Sequence, residues 1–171
     1  IDLADTINSS MPAYVVERVS DALNSQKKPL NGSKILIYGV AYKRDVDDMR
    51  ESPAFSVMHD LAQRGAELSY MDPHVPSFDE DGMKMSSVDP KSSFAGYDCV
   101  VIITDHLKLE RARLLAEAKL VVDTRDALRG VEGVAIMYAK CRRPIPGDAI
   151  VGQFRKGQGL TVHVRDCASL K

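Results

Sequence analysis

The chain is poor in several things, and each shortage excludes a class of protein. Only three of its 171 residues are cysteine (Cys99, Cys141 and Cys167), an odd number at no metal-like spacing. That count excludes a disulfide framework, and free thiols suit a reducing cytoplasm. Net charge is close to zero, at −1, so no global field draws nucleic acid or an anionic membrane. No apolar run is long enough to cross a bilayer, and no signal peptide opens the chain. An initiating Met is missing as well: the sequence starts at Ile1, in mid-pattern, and is expected to be a fragment of a longer protein. The dinucleotide fingerprint G-x-G-x-x-G also fails, because Gly39 is followed by Ala41 and no third glycine opens the next helix.

What is present describes a globule able to bury a core, with 44% hydrophobic and 27% charged residues. The charge is uneven. From Val131 onward there are seven Lys/Arg against three Asp/Glu, a net of +4 that leaves residues 1–130 at −5.

The organising stretch is residues 34–53. Ile35–Val40 is a short β-branched run, as expected of a strand covered on both faces. A loop from Ala41 to Glu51 follows, then a helix start with Ser52 as N-cap and Pro53 at the first helical position. The helix is expected over Pro53–Arg64 with Gly65 capping it, and a second strand over Glu67–Met71, which ends in Asp72-Pro73-His74-Val75-Pro76. A strand, helix and strand at this spacing predict a right-handed unit and a parallel sheet. A short strand is expected at Met83–Met85, a short helix over Asp89–Gly96, a deeply buried strand over Asp98–Thr104, a helix over Leu107–Ala118 and a strand over Leu120–Val122. At the front, Leu3, Ile7 and Met11 suit the last turns of a helix. Pro12 interrupts it or starts a second one, striped by Val15, Val16, Val19, Ala22 and Leu23. The fold class is therefore α/β: a three-layer, Rossmann-like domain with a mostly parallel sheet, preceded by part of a connecting helix.

Loops leaving the carboxyl ends of such strands are where open α/β sheets bind ligands. Two basic residues stand there: Lys43 after the first strand and Arg125 after Leu120–Val122. Each has a plainer alternative, a solvated lysine and a capping pair with Asp126. Arg50 is expected to pair with Asp47 or Asp48, which shape the loop and, with no His or Cys at ligand spacing, do not read as a metal site. Tyr42 either lines the pocket or joins the core. His74 and His106 read as surface or capping residues, and Cys99 as a core thiol.

Gly39-Val-Ala-Tyr-Lys43 followed by Asp47-Asp48-Met-Arg50-Glu-Ser-Pro53 resembles the signature of the UDP-glucose/GDP-mannose dehydrogenase family, at the opening of its C-terminal, nucleotide-sugar-binding domain. Ala-Tyr-Lys and Asp-Val-Asp-Asp are closer to members that oxidise UDP-N-acetylhexosamines. The resemblance covers about residues 3–128. It implies three regions: 1–28 as the end of an inter-domain, dimerisation helix; 29–129 as the nucleotide-sugar-binding domain; and 130–171 as an unmatched tail. The tail is read as variable, or as the product of an altered reading frame, in preference to a functional extension, with one strand over Gly133–Ala139. The resemblance further implies Lys43, Arg125 and Tyr42 as substrate-binding residues and Arg50 as reaching towards the cofactor. NAD and the catalytic cysteine would belong to an N-terminal part that this chain does not contain, so no catalytic residue is expected here. The partners implied are a UDP-sugar and a second subunit in a homodimer, with no nucleic acid and no membrane, in a cytoplasmic enzyme of surface-polysaccharide synthesis. Two rivals remain. A receiver-like signalling domain would use the acidic loop and Asp105, but has no matching lysine; an association-only module would leave Lys43 and Arg125 unoccupied.

Overall fold

A computed structural model describes residues 2–80, 82–128, 136–138, 150–155 and 159–164. The chain divides into two compact units, Ile1–Ala127 and Leu128–Lys171.

The first unit is built on four parallel strands, β1 (Lys34–Tyr38), β2 (Glu67–Met71), β5 (Cys99–Ile102) and β6 (Val121–Asp123), in the order β2-β1-β5-β6. The register pairs Ile37 with Tyr70 on one side and with Val101 on the other. Because alternate side chains face opposite ways, Ile35, Ile37, Cys99 and Val101 join one core with Val16, Val19 and Leu23 of helix α1 (Asp2–Ser25) and Val57, Met58 and Leu61 of α2 (Pro53–Gln63). Leu36, Tyr38, Val100 and Ile102 face the other way, with Phe94 and Leu114 also buried outside that core. Phe94 lies in a 3₁₀ turn (Phe94–Gly96) and Leu114 in α3 (Arg111–Glu117). The result is a three-layer, doubly wound domain.

The caps of α2 follow from its sequence. Ser52 accepts the Ala54 N–H, and Pro53 takes the first helical position, where its missing donor costs nothing. At the other end the Gly65 N–H donates to Ala62 O and the Ala66 N–H to Leu61 O, a Schellman closure that needs Gly65 at φ +84°.

Three expectations are corrected. Helix α1 runs through Pro12 without interruption; its buried stripe from Val15 to Leu23 offsets the hydrogen bond that proline removes. Asp89–Gly96 is not an α-helix. The Asp89 carboxylate captures the Lys91 N–H and the Ser93 hydroxyl the Ala95 N–H, leaving only the 3₁₀ turn. Helix α3 starts at Arg111, not Leu107, because the Leu107 N–H is committed to Asp45. The expected strand at Met83–Met85 pairs, as β4 (Met83–Ser86), antiparallel with β3 (Ser77–Glu80).

In the second unit, β7 (Ile136–Tyr138) pairs parallel with β9 (Gly159–Val164), which pairs antiparallel with β8 (Ile150–Arg155). The rest of Gly133–Ala139, together with Cys141 and Cys167, lies outside the described residues.

Candidate functional site

The carboxyl edge of the sheet is where the polar residues gather. Beyond β1 the chain turns at Gly39, at φ +79°, and a Cβ there would sit 2.7 Å from Thr104 Cβ and on the Thr104 carbonyl oxygen. Only glycine lets the β1 and β5 loops approach so closely. The two loops are then stitched together. Thr104 Oγ1 donates to Ala41 O at 2.7 Å, the Leu107 N–H to Asp45 Oδ1 at 3.0 Å and the Asp45 N–H to His106 Nδ1 at 2.9 Å, while Arg44 pairs with Asp105.

At the centre is a group the sequence does not announce. Asp72, at the end of β2, is buried and accepts the N–H groups of Val40, Ala41, His74 and Val75, together with His106 Nε2 at 3.0 Å. Because His106 Nδ1 accepts a main-chain N–H, the ring proton lies on Nε2 and points at Asp72. Burial pushes the Asp72 carboxyl up, but the hydrogen bonds from His106, His74 and Ala41 outweigh it and hold the group below the ordinary carboxylate value. Of the two readings of His106, a surface or a capping residue, the first is wrong: it has no solvent exposure, and its Nδ1 accepts the Asp45 N–H. His74 is half-buried, with its Nε2 sealed off and unpartnered 3.6 Å from Asp45 Oδ1. Asp45, His74 and His106 bring one ligand-type atom each within 4.8 Å of one another. Asp45 Oδ1 and His106 Nδ1 each accept a main-chain N–H, so the cluster ties the two loops together as a hydrogen-bonded clamp.

On this frame the candidate binding residues are displayed. Lys43 is exposed, with Nζ 5.4 Å from the centre of the Tyr42 ring, and it forms no ion pair among the described residues. Tyr42 is 47% exposed, so it does not belong to the core. It lines a cavity of about 830 Å³ with Met11, Pro12, Met49 and Phe55. Arg50 is held by Asp48 in a two-pronged pair, Nε to Oδ1 at 2.9 Å and Nη2 to Oδ2 at 2.8 Å. That pairing lowers the Asp48 carboxyl to about 2. Arg125 is exposed just beyond β6, its N–H donating to Asp123 Oδ1. Lys43 and Arg125 thus follow the carboxyl ends of strands separated only by β5, about 10 Å across the sheet. Cys99 is fully buried, and burial pushes its thiol up to about 12.

A doubly wound domain with basic side chains displayed along its carboxyl edge belongs to the class of folds that hold nucleotides there. Residues 36–130 match the model for the UDP-glucose/GDP-mannose dehydrogenase family, UDP binding domain, and the chain belongs to that family. A UDP-N-acetyl-D-mannosamine dehydrogenase of Methanococcus maripaludis is 40% identical over 106 residues, which are 62% of this chain and 23% of that protein. The solved structure of the UDP-D-ManNAc dehydrogenase of Pyrococcus horikoshii superposes with a TM-score of 0.62 at 25% identity, covering 75% of this chain and 30% of that one. The UDP-N-acetyl-mannosamine dehydrogenase of Staphylococcus aureus gives 0.57 at 30% identity, over 72% and 29%. The chain therefore spans about a quarter to a third of the length of the relatives it matches. The receiver-like alternative finds no support among them. Residues 127–171, read from sequence as a tail without a family, match a second model, described as the RelA/SpoT RIS domain. Among the described residues, no helix is long and apolar enough to cross a membrane.

Proposed function

We propose that residues 29–129 are the UDP-sugar-binding domain of an NAD-dependent nucleotide-sugar 6-dehydrogenase. The whole enzyme would oxidise the C6 alcohol of a UDP-N-acetylhexosamine to a carboxylate for polysaccharide synthesis, working as a cytoplasmic homodimer with residues 1–28 in the subunit contact. The observation that carries this reading is the pair of exposed cations, Lys43 and Arg125, on one edge of a parallel sheet in a chain that matches a UDP-binding family model.

In this reading Lys43 and Arg125 bind the nucleotide sugar, and Tyr42 forms a wall of the cavity beside them. The loop that carries Lys43 is held at both ends, by Asp72 at Val40 and Ala41 and by Ser52 at the start of α2. A phosphate that meets it encounters a frame already in place, so little ordering is required on binding. Arg50, preorganised by Asp48, faces the cofactor.

NAD itself does not fit at the β1 turn. The space above Gly39 is filled by Thr104, and the loop runs from Gly39 to Ser52 before a helix N-terminus is reached. The cofactor and the reacting cysteine are assigned to the rest of the enzyme, and Cys99 is not a candidate nucleophile.

Calorimetric titration of the 171-residue chain with UDP, GDP and NAD tests this. UDP should bind more tightly than NAD, and Lys43→Ala and Arg125→Ala should each weaken it by about ten-fold. With a UDP-sugar and NAD present, no NADH should form. Absence of UDP binding, or UDP affinity unchanged in both variants, would leave the association-only reading in place; NADH production would refute the assignment of the chemistry elsewhere.

A further inference from the structure

Three loops meet at the carboxyl edge of the sheet, and each sends one metal-type ligand to the same place. Asp45 comes from the loop after β1, His74 from the loop after β2 and His106 from the loop after β5. Their ligand atoms all lie within 4.8 Å of one another. Asp45 Oδ1 is 3.6 Å from His74 Nε2 and 3.7 Å from His106 Nδ1. Donors held at about 2.0–2.1 Å by a tetrahedral zinc ion stand roughly 3.4 Å apart. Two of the three separations therefore need almost no adjustment.

His74 carries the argument. Its Nε2 is sealed from solvent without a hydrogen-bond partner among the described residues, and it faces a carboxylate oxygen beyond hydrogen-bonding distance. A buried polar nitrogen left in this way is uncommon and calls for a ligand. The main-chain N–H of His74 is fixed on Asp72 Oδ1 at 2.8 Å, which anchors the residue beside its neighbours. His106 is oriented as metal-binding imidazoles are. Its Nε2 donates to the buried Asp72 carboxylate at 3.0 Å, which leaves Nδ1 as the lone-pair nitrogen on the side of Asp45. The two imidazoles stand together, with ring centres 5.0 Å apart. Two imidazole nitrogens and one carboxylate oxygen are a zinc donor set with a fourth position open, and they are too rich in nitrogen for Ca²⁺ or Mg²⁺.

We propose that Asp45, His74 and His106 bind a divalent transition-metal ion of the zinc type, which staples the three loops together. His74 supplies Nε2, His106 Nδ1 and Asp45 its carboxylate, and water takes the fourth position. One hydrogen bond is exchanged on binding. The Asp45 N–H, held by His106 Nδ1 at 2.9 Å, yields that lone pair to the metal and turns to water, which a partly exposed residue can reach. The Leu107 N–H stays on Asp45 Oδ1, because a carboxylate has lone pairs enough for a donor and a metal.

The test uses the full 171-residue chain carrying Cys141→Ser, Cys167→Ser and His163→Gln, so that no thiol or imidazole of the second unit competes for metal. Zn²⁺ and Mg²⁺ are titrated in turn and followed by two-dimensional NMR of the histidine ring nitrogens and the backbone amides. Zn²⁺ should shift His74 Nε2, His106 Nδ1 and the Asp45 amide together, saturate at one ion per chain and leave His59 unmoved. Mg²⁺ should shift none of them. Asp45→Asn keeps an acceptor for the Leu107 N–H and His74→Gln keeps a polar side chain of similar reach, so the edge stays folded; each should weaken Zn²⁺ by at least about ten-fold. Asp47→Asn, an exposed carboxylate of the same loop outside the cluster, should leave Zn²⁺ affinity unchanged. Absence of a saturable shift, shifts centred on His59, movement of His74 without His106, or Zn²⁺ affinity unaltered in either cluster variant would each overturn the proposal.

Discussion

Replacing Asp72 with alanine removes the acceptor of hydrogen bonds from Val40 (2.8 Å), Ala41 (3.1 Å), His74 (2.8 Å), Val75 (3.1 Å) and His106 Nε2 (3.0 Å). A hydrogen bond to a charged group contributes about 1.5–3 kcal/mol, and the donors left behind are buried. Bonds that share one acceptor do not add, and removal of one member of a buried pair costs roughly 3–5 kcal/mol, so the expected loss is about 4 kcal/mol. Against a total of about 5–15 kcal/mol this is a large fraction of the stability. Urea denaturation followed by circular dichroism measures it as a fall in midpoint at constant slope. Asp72→Asn should recover only part of the loss, since its amide NH₂ must face some of the donors. The pH dependence gives a second reading. The folded carboxyl titrates below its unfolded value, so its stabilisation is fully present above about pH 4 and disappears as pH falls through the folded value. Asp72→Asn should lack that component of the acid limb. A loss below about 1 kcal/mol in Asp72→Ala, or acid limbs that run parallel in wild type and Asp72→Asn, would refute the view that this carboxylate organises the edge.

Two further predictions concern the same core. Gly39→Ala meets both a left-handed backbone and the Thr104 main chain; it should destabilise the unit by at least about 2 kcal/mol and part the β1 and β5 loops, seen as faster amide exchange at Asp45 and Leu107. In a Cys141→Ser, Cys167→Ser background, Cys99 should resist thiol reagents in the native state at pH 8 and react only in denaturant, because burial holds its thiol near 12; rapid native labelling would show that the strand opens locally.

Much of the fold was legible because its signals are local. The apolar runs at Ile35 and Cys99, the Ser52-Pro53 start and the Gly65 stop each follow from the residue and its neighbours, and the parallel sheet follows from their spacing. Lys43 and Arg125 were readable as edge residues for the same reason. Asp72 and His106 were not, because nothing in Asp72-Pro73-His74 or in Asp105-His106 reveals that positions 34 residues apart meet in the interior. The same holds for Tyr42 and Tyr38. Tyr38 ends the first strand and Tyr42 lies just beyond it, and only the three-dimensional packing decides that Tyr42 is exposed while Tyr38 is buried beside a cavity. Leu107–Ala118 has helical periodicity throughout, but the Leu107 N–H is drawn to Asp45 and the helix starts only at Arg111.

The stitching of the two loops also fixes an order of events. The segment that carries Lys43 leaves β1 early in the chain, yet the imidazole that receives the Asp45 N–H lies 61 positions downstream. Until β5 has docked beside β1 and delivered Thr104 and His106, that segment has Asp72 at its base and its own internal bonds, but lacks the hydrogen bonds that clamp it to the β5 loop. During synthesis, ligand competence therefore arrives late and all at once, and a nascent chain stopped before His106 carries the signature residues without the shape that makes them useful.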